Sequence, residues 1–329
     1  MAFAGVSLSI VSIAFTGSSV MRFQCIMCFT IIRVANTNRP KTLSCPNCSN
    51  TLAVPRSRFE TGCVIGDFVI ESLIGKGGMA SVYLSRQLSM DRPAALKILE
   101  ASYLKEDKYV ERFVKEAKAA ARINHPNLVT SVAVGHEEGA LYYAMEYIEG
   151  MTLGELLEKE KTVDCDLGLN ITQQCAEALY AAWTQEQIIH RDIKPDNIML
   201  ANDGYTKVMD LGIAITRSEA ETADISGTPA YMSPEQFRGK ALDCRSDIYS
   251  LGCTLYTALV GFTPFDGESA NDIGRKHLYN QVIFPDKNLI MIPTRVKKLI
   301  SRMMAKDPQE RFQSYDELLE EVVYIRKRL

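Results

Sequence analysis

The chain has 329 residues, of which 47% are hydrophobic and 23% charged, and its formal net charge is -3 at pH 7. This is the composition of an ordinary folded protein, so it argues against a disordered chain and against a membrane-embedded bundle. The slight acidic excess supplies no basic field for nucleic-acid phosphates, so we expect neither a nucleic acid nor a membrane as a partner.

The first twenty residues, 1–20, carry no charge and mix apolar residues with serine, threonine and glycine. A secretory signal normally opens with a positively charged region, which this segment lacks. A membrane-spanning helix needs about twenty predominantly apolar residues, and the hydroxyl side chains argue against one here. A third interpretation takes Met21 as the true start of the protein, and all three stay open.

Two CxxC pairs follow this extension and define a small cysteine-rich module at 21–55. Sixteen residues separate the pairs, which suits a tetrahedral zinc site on two facing hairpin tips. Disulfides, which a reducing cytoplasm disfavours, and a thioredoxin-like redox motif, which needs a βαβ context, are the alternatives. The module resembles a zinc ribbon, and structural Zn²⁺ would supply most of its folding energy because so short a segment buries little core. The expected zinc ligands are Cys25, Cys28, Cys45 and Cys48.

The rest of the chain divides into a connector and one globular stretch. The polar segment 56–66 is expected to be a linker, and 67–329 shows no internal repeat. Strand-like patterns at FVIESLI, SVYLSR and AALKIL predict a β-meander at its beginning, whereas apolar periodicity favours helices in its second half. The expected architecture is therefore α+β, with a small sheet lobe at about 67–148 and a larger helical lobe at about 149–329.

A glycine-rich segment, IGKGGMASVY at 74–83, lies between two of the predicted strands. Its glycines would let the backbone fold closely over phosphate groups, although a glycine-rich hairpin is more often an ordinary turn. By itself it is weak support, since Ala80 stands where a third glycine is expected. The nucleotide contacts it would supply are Ile74, Gly75, Lys76, Gly77, Gly78, Met79, Ala80, Ser81 and Val82.

A lysine and a glutamate further along the chain fit the same chemistry. Lys97 ends the apolar strand AALK, which would place an ammonium beneath the glycine-rich loop. Between Asp107 and Arg122 apolar residues recur at helical spacing, so Glu116 would lie on a helix packed against the sheet. There its carboxylate can pair with Lys97 and hold it against the α- and β-phosphates of a nucleotide. An ordinary surface lysine is the alternative.

The string HRDIKPDN at 190–197 is the most specific in the chain. It places a base, a phosphate-binding cation and a metal-binding amide in one short loop, as phosphoryl transfer requires. With these residues, the stretch from about Asp67 to the C-terminus resembles the protein kinase family, particularly bacterial serine/threonine kinases with GxGGM glycine loops. The resemblance implies a bilobal kinase fold that uses ATP with Mg²⁺, or with Mn²⁺ in its place.

The resemblance also implies roles for individual residues. Asp192 matches the catalytic base that orients the substrate hydroxyl, Lys194 matches the partner of the γ-phosphate, and Asn197 matches a magnesium ligand. Asp210 of the DLG string matches the principal magnesium ligand, and Leu211 replaces the usual phenylalanine as an apolar plug.

Matches outside the catalytic loop concern the nucleotide base and the substrate peptide. In LYYAMEYIEG, Met145 matches the gatekeeper, and the backbones of Glu146 and Ile148 would bind the adenine edge. GTPAYMSPE at 227–235 resembles the segment that receives a substrate peptide, with Ser233 in place of the usual alanine. Structural roles are further implied for Asp247, which would brace the catalytic loop, and for Glu235 and Arg311, which would pair.

The resemblance implies serine/threonine rather than tyrosine specificity, because Lys194 and Thr228 match residues typical of serine/threonine kinases. Both side chains would crowd Asp192. The HRD arginine, Arg191, implies control by a phosphate on the activation loop, most simply at Thr222. Such hydroxyls are often mere loop solubilisers, which is the alternative for each one. The other candidate positions are Thr216, Ser218 and Ser226.

Two other functions compete with a non-specific serine/threonine protein kinase. A pseudokinase usually lacks a catalytic residue, whereas the expected set is complete here. A small-molecule phosphotransferase should lack a peptide-docking segment, whereas GTPAYMSPE favours protein substrates. We expect a cytoplasmic protein because export would carry an ATP-dependent enzyme away from ATP, and a protein partner for the zinc module is a further expectation.

Overall fold

The computed structural model describes residues 20–36, 39–137, 139–211, 214–216, 227–285 and 291–329. The extension up to residue 19 and the predicted phosphorylation sites Thr222, Ser218 and Ser226 lie outside these ranges. Val20, counted above with the extension, already belongs to the first strand. Within the described part of the chain, no helix is both long and apolar enough to cross a membrane.

The cysteine-rich module consists of two β-hairpins whose turns carry the CxxC pairs. Alternating burial along the first strand turns Met21 and Phe23 inward, as the period of two in a half-buried strand requires. Phe29 and Ser49 adopt the left-handed conformation, and each donates its N–H to the carbonyl of the first cysteine of its turn at 2.9 Å. The two turns therefore share one backbone geometry. The hairpins are β1 (Val20–Gln24) with β2 (Ile31–Ala35), and β3 (Thr42–Ser44) with β4 (Thr51–Ala53).

An antiparallel six-stranded sheet dominates the small lobe. Its strands are β5 (Val64–Ile65), β6 (Phe68–Lys76), β7 (Ala80–Gln87), β8 (Arg92–Leu99), β9 (Ser131–Glu137) and β10 (Ala140–Glu146). They lie in the order β5-β6-β7-β8-β10-β9. β5 falls inside the segment 56–66, so the end of the expected linker is in fact part of the sheet. Two adjacent apolar residues, Val64 and Ile65, cause this because burying both removes them from water.

Helix α1 (Asp107–Arg122) packs against this sheet and covers the interval that its apolar spacing predicted. The buried residues Phe113, Glu116, Ala117 and Ala120 recur three or four positions apart, which places them on one helical face. Glu116 therefore lies on the buried face of the helix, among apolar neighbours.

The second lobe is mainly helical. Helix α5 is buried from Cys244 to Val260 except at Arg245, because α3 and α7 both pack against it. The helices are α2 (Leu153–Glu160), α3 (Cys165–Glu186), α4 (Pro234–Phe237), α5 (Cys244–Val260), α6 (Ala270–Tyr279), α7 (Thr294–Met303) and α8 (Tyr315–Arg326). The strands are β11 (Gly150–Thr152), β12 (Ile188–Ile189), β13 (Ile198–Ala201), β14 (Thr206–Val208) and β15 (Ile215–Thr216).

Buried apolar side chains form two large clusters. One runs from α1 and Leu99 of β8 into the helical lobe. The other, called here the rear cluster, joins Met21 and Phe23 of the module to Leu96 and Ile98 of β8. The α+β architecture of two lobes, preceded by a small cysteine module, is thus confirmed, and the module packs on the small lobe.

Candidate active site

A cleft of about 470 Å³ lies between the two lobes. The sheet contributes Ile74, Val82 and Ala95, and the helical lobe contributes Met199 and Leu211. An apolar lining with a few charged groups at one end is typical of a pocket for a small molecule with a planar and a charged part.

The glycine-rich segment is divided between the cleft and the hairpin turn. Ile74, Gly75 and Val82 line the cleft. Alternation along β7 turns Ala80 into the apolar cluster that runs from α1 into the helical lobe. Ser81 Oγ donates to Glu100 Oε1 at 2.8 Å. The remaining residues lie at the turn, away from the described cleft lining: Lys76, Gly77, Gly78 and Met79.

Lys97 lies at the charged end of the cleft between two carboxylates. Its Nζ is 2.6 Å from Glu116 Oε1 and 3.1 Å from Asp210 Oδ1. Glu116 is buried with 3% of its side chain exposed, whereas Asp210 keeps 45% exposed and lies open to the cleft. β8, α1 and the DLG segment thus bring together three residues that are distant in sequence.

The charges at this end hold Lys97 as an ammonium. Burial alone would lower the pKa of Lys97, but the charges of Glu116 and Asp210 outweigh it and raise the pKa above its ordinary value. Desolvation would likewise raise the pKa of Asp210, but Lys97 opposes it and lowers that pKa to about 2. Burial raises the pKa of Glu116 against the attraction of Lys97. A positive charge beside an ionised carboxylate is therefore fixed in the cleft.

The carboxylate of Asp192 is held by neighbouring residues of the HRDIKPDN segment and by Thr228. Asn197 Nδ2 donates to Asp192 Oδ2 at 3.1 Å and to the Asp192 carbonyl at 2.8 Å. The Thr228 N–H and hydroxyl donate to Oδ1 at 2.9 and 2.8 Å. Lys194 Nζ lies 3.1 Å from Oδ2 and donates to Thr228 Oγ1 at 2.7 Å. Lysine, threonine and asparagine therefore orient one carboxylate.

Asp247 on α5 holds the backbone just before Asp192. Its two carboxylate oxygens accept the N–H groups of His190 and Arg191, each at 2.8 Å. Arg191 has φ of 69° in the left-handed region, a strained conformation for a residue with a side chain. Burial raises the pKa of Asp247, while His190 and the two N–H groups oppose that rise. The buried carboxylate therefore fixes a strained loop.

Glu235 and Arg311 form a buried ion pair beneath the GTPAYMSPE segment. Arg311 Nη1 and Nη2 donate to the two Glu235 oxygens at 2.7 and 2.8 Å. Burial would raise the pKa of Glu235, but Arg311 holds it below its ordinary value. Ser233, which stands where the resemblance expects alanine, caps α4 by accepting the N–H of Gln236. The substitution thus supplies a helix cap.

The expected adenine-binding segment joins the two lobes at the cleft. Met145, Glu146 and Ile148 all line the cleft. The Glu146 N–H donates to the Thr130 carbonyl at 2.9 Å, and its carboxylate accepts Lys207 Nζ at 2.9 Å. The segment is therefore tied to both lobes.

The four cysteines of the module come together at the tips of the two hairpins. Their Sγ atoms all lie within 4.8 Å of one another, with Cys25 and Cys48 separated by 3.7 Å and Cys28 and Cys45 by 3.6 Å. Four sulfurs placed about 2.3 Å from one tetrahedral zinc ion are about 3.8 Å apart. The four thiols are free of disulfides, and their spacing fits zinc.

Several cleft residues were absent from the sequence-based set. Ala95 could have been found, because it lies two residues before Lys97 on the same face of β8. Some of the others lie in or next to segments already singled out, such as LYYAMEYIEG and the helix that carries Glu116, whereas the rest are brought to the cleft only by the fold. Together these others are Ala120, Ile123, Leu128, Val129, Tyr143, Tyr147, Gly150, Thr152, Glu155, Met199, Val208 and Met209.

Comparison with known proteins identifies one domain. Residues 68–323 match the family model described as "Protein kinase domain". The chain is 39% identical over 258 residues to serine/threonine-protein kinase PrkC of Bacillus subtilis, an alignment that covers 78% of this chain and 40% of that one. It is 40% identical to serine/threonine-protein kinase pkn3 of Myxococcus xanthus, covering 74% and 47%. It is 35% identical to serine/threonine-protein kinase PknB of Mycobacterium tuberculosis, covering 78% and 42%. The chain therefore spans less than half the length of these relatives.

Proposed function

The chain belongs to the protein kinase family, and we propose that it transfers the γ-phosphate of ATP to serine or threonine hydroxyls of proteins. What supports this activity most directly is the way Asp192 is held, with Asn197, Lys194 and Thr228 all donating to or contacting its one carboxylate. The relatives, whose names describe serine/threonine kinases, favour the same activity.

Each charged residue of the candidate site would have its own role in phosphoryl transfer. Lys97, paired with Glu116, would hold the α- and β-phosphates, and Lys194 would contact the γ-phosphate. Asp192 would accept a hydrogen bond from the substrate hydroxyl and take its proton as the phosphoryl group is transferred. Lys194 and Thr228 crowd that carboxylate, so a short alcohol reaches it more readily than a phenol.

The side-chain oxygens of Asp210, which lines the cleft, and of Asn197 fit Mg²⁺, a hard cation that prefers oxygen ligands. Asp210 offers an ionised carboxylate, and because Asn197 Nδ2 donates to Asp192, the Asn197 amide oxygen is left to bind a cation. When bound, the metal would neutralise charge on the β- and γ-phosphates.

The proposed activity is tested by incubating the purified chain with radiolabelled ATP, Mg²⁺ and casein-like proteins, with small alcohols in parallel. Labelled phosphoserine or phosphothreonine in protein supports the proposal. Label found only in small alcohols, or no transfer to any acceptor, contradicts it.

We also propose that the module holds one zinc ion on Cys25, Cys28, Cys45 and Cys48. Sulfur spacing near that of a tetrahedral thiolate site supports this over disulfides. We further propose that the protein acts in the cytoplasm, where ATP is available.

Replacing Cys25 or Cys48 by serine is expected to remove the zinc, because a hydroxyl stays protonated at neutral pH and is a poor zinc ligand beside thiolates. Metal content measured by mass spectrometry should fall from one zinc per chain to none. Cys165→Ser, outside the module, is the matched control and should retain the metal. Wild-type protein that carries no zinc when purified without chelators, or a disulfide between Cys25 and Cys28, would overturn the assignment.

Control through the activation loop remains a proposal, with Thr222 as the site. A phosphate there would place roughly two negative charges near the HRD arginine, Arg191, and order the loop around Asp192. Thr222→Ala is expected to lower turnover about tenfold. Ser218→Ala, at another candidate position, tests whether that serine carries the phosphate instead. Intact-mass spectra and peptide mapping after incubation with ATP locate the phosphate. Wild-type turnover and autophosphorylation in Thr222→Ala would show that Thr222 has no such role.

A further inference from the structure

The sheet that carries Lys97 is covered by the zinc module on the face opposite the cleft. Side chains alternate along β8, so Ala95 and Lys97 face the cleft while Leu96 and Ile98 face the other way. Leu96 and Ile98 are 0% and 3% exposed. They share the rear cluster with Met21, Phe23, Leu52 and Val54 of the module. The module therefore supplies part of the core behind the phosphate-binding lysine.

Backbone pairing joins the module to the edge of the same sheet. Phe23 forms an antiparallel bridge with Cys63, and the Gln24 N–H donates to the Gly62 carbonyl at 2.9 Å. Gly62 in turn donates to the Ile70 carbonyl of β6 at 2.7 Å. β6 leads directly into the glycine-rich turn, so the module is connected through main-chain hydrogen bonds to the strand that would cover the phosphates.

An ion pair ties the module to the far side of the sheet. Arg22 Nη2 lies 2.6 Å from Glu137 Oε2 on β9 and donates to the Gly66 carbonyl at 2.7 Å. Glu137 also accepts the Gly66 N–H. Arg22 and Glu137 are 22% and 26% exposed, so the pair is partly shielded from water. The two edges of the sheet, β5 and β9, are therefore joined both directly, through Glu137 and Gly66, and through Arg22 of the module.

We propose that the zinc module is a positioning element of the phosphoryl-transfer site. Docked through Arg22 and Phe23, it fixes the sheet in the arrangement that lets Lys97 and the glycine-rich segment bind ATP. This rests on the proposed kinase function and extends it. A structural metal site on one face of the sheet would then influence nucleotide affinity in the cleft on the opposite face.

Loosened docking and lowered stability have different kinetic consequences. If docking positions the sheet, breaking it weakens ATP binding, while the catalytic loop, which lies in the other lobe, keeps its geometry. The KM and Kd for ATP then rise and kcat at saturating ATP changes little. If the module only stabilises the fold, the fraction of active enzyme falls, which lowers the apparent kcat and leaves KM unchanged.

The test uses Arg22→Gln and, as matched control, Arg33→Gln in the full chain. Arg33 is the cross-strand partner of Arg22 on β2 and is exposed to solvent, so each change removes one positive charge from the same hairpin. Zinc content is measured first, to show that the module is folded in both variants. The Kd for a non-hydrolysable ATP analogue is then measured by calorimetry, and KM and kcat by radiolabelled transfer. Glu137→Gln provides a second way of breaking the same ion pair.

Arg22→Gln and Glu137→Gln are expected to keep one zinc per chain and to raise the Kd and KM for ATP about threefold to tenfold, with Arg33→Gln unchanged. An unchanged Kd in both variants, or a fall in kcat with unchanged KM, overturns the proposal. Because nucleotide affinity is read without transfer, a wild-type chain that binds ATP but phosphorylates nothing contradicts the proposed function and leaves the docking test intact.

Discussion

Asp192→Asn is expected to lower phosphate transfer by about a thousandfold or more while the fold remains intact. The amide cannot accept the substrate proton, and it would also turn an NH₂ group toward Lys194 or toward the Thr228 donors. A thousandfold loss corresponds to about 4 kcal/mol of transition-state stabilisation. The ATP analogue should bind as in wild type, because Asp192 orients the hydroxyl and does not hold the nucleotide. Transfer from radiolabelled ATP and calorimetry measure the two quantities.

Asp196→Asn is the matched control for this substitution. Asp196 lies in the same loop, is exposed, and loses the same charge. It should transfer phosphate at close to the wild-type rate. Near-normal turnover by Asp192→Asn would remove Asp192 from the mechanism.

Lys97→Met is expected to abolish transfer to a similar extent, because methionine keeps an apolar side chain of comparable length but carries no ammonium for the phosphates. The change also leaves Glu116 buried without its partner. Breaking a buried pair by removing one member costs about 3 kcal/mol or more of stability, and Glu116 should then take up a proton. The melting temperature should therefore fall along with ATP affinity.

The double variant Lys97→Met with Glu116→Gln separates the two effects. The amide introduced by Glu116→Gln is neutral, so it is not left as an unpaired buried charge when the Lys97 ammonium is removed. The melting temperature should therefore recover at least partly, while transfer stays lost. Lys118→Met, at an exposed position of helix α1, is the control for removing a lysine. Recovery of transfer in the double variant, or wild-type activity in Lys97→Met, would show that Lys97 does not hold the phosphates.

Local sequence patterns predicted much of the fold and the chemistry. Apolar spacing predicted helix α1 over Asp107–Arg122, because a helix that packs on a sheet must bury residues three and four apart. Alternation predicted the strands around the glycine-rich segment, and HRDIKPDN indicated the catalytic loop. The CxxC pairs indicated a site in which four thiols meet.

Each of these patterns is contained in a short, contiguous stretch of the sequence. A strand or helix is encoded within about ten residues, and the catalytic loop and each CxxC pair are contiguous. The sequence paired Lys97 with Glu116, and the resemblance to kinases implied Asp210 separately as a magnesium ligand. The structure places both carboxylates within hydrogen-bonding distance of Lys97. The role of each in transfer stays a prediction.

Only the tertiary structure decided how the pieces pack against one another. The sequence by itself indicated that AALK is an apolar strand ending at Lys97, and that the module is too short to bury much core of its own. It did not indicate that apolar side chains of β8 pack against those of the module. Nor did it indicate that the expected linker ends as strand β5. Arg22 and Glu137 are 115 positions apart, and neither stands in a motif. The physical reason is that periodicity records which side chains leave water, whereas their partners depend on chain topology, since apolar burial is favourable against any apolar surface.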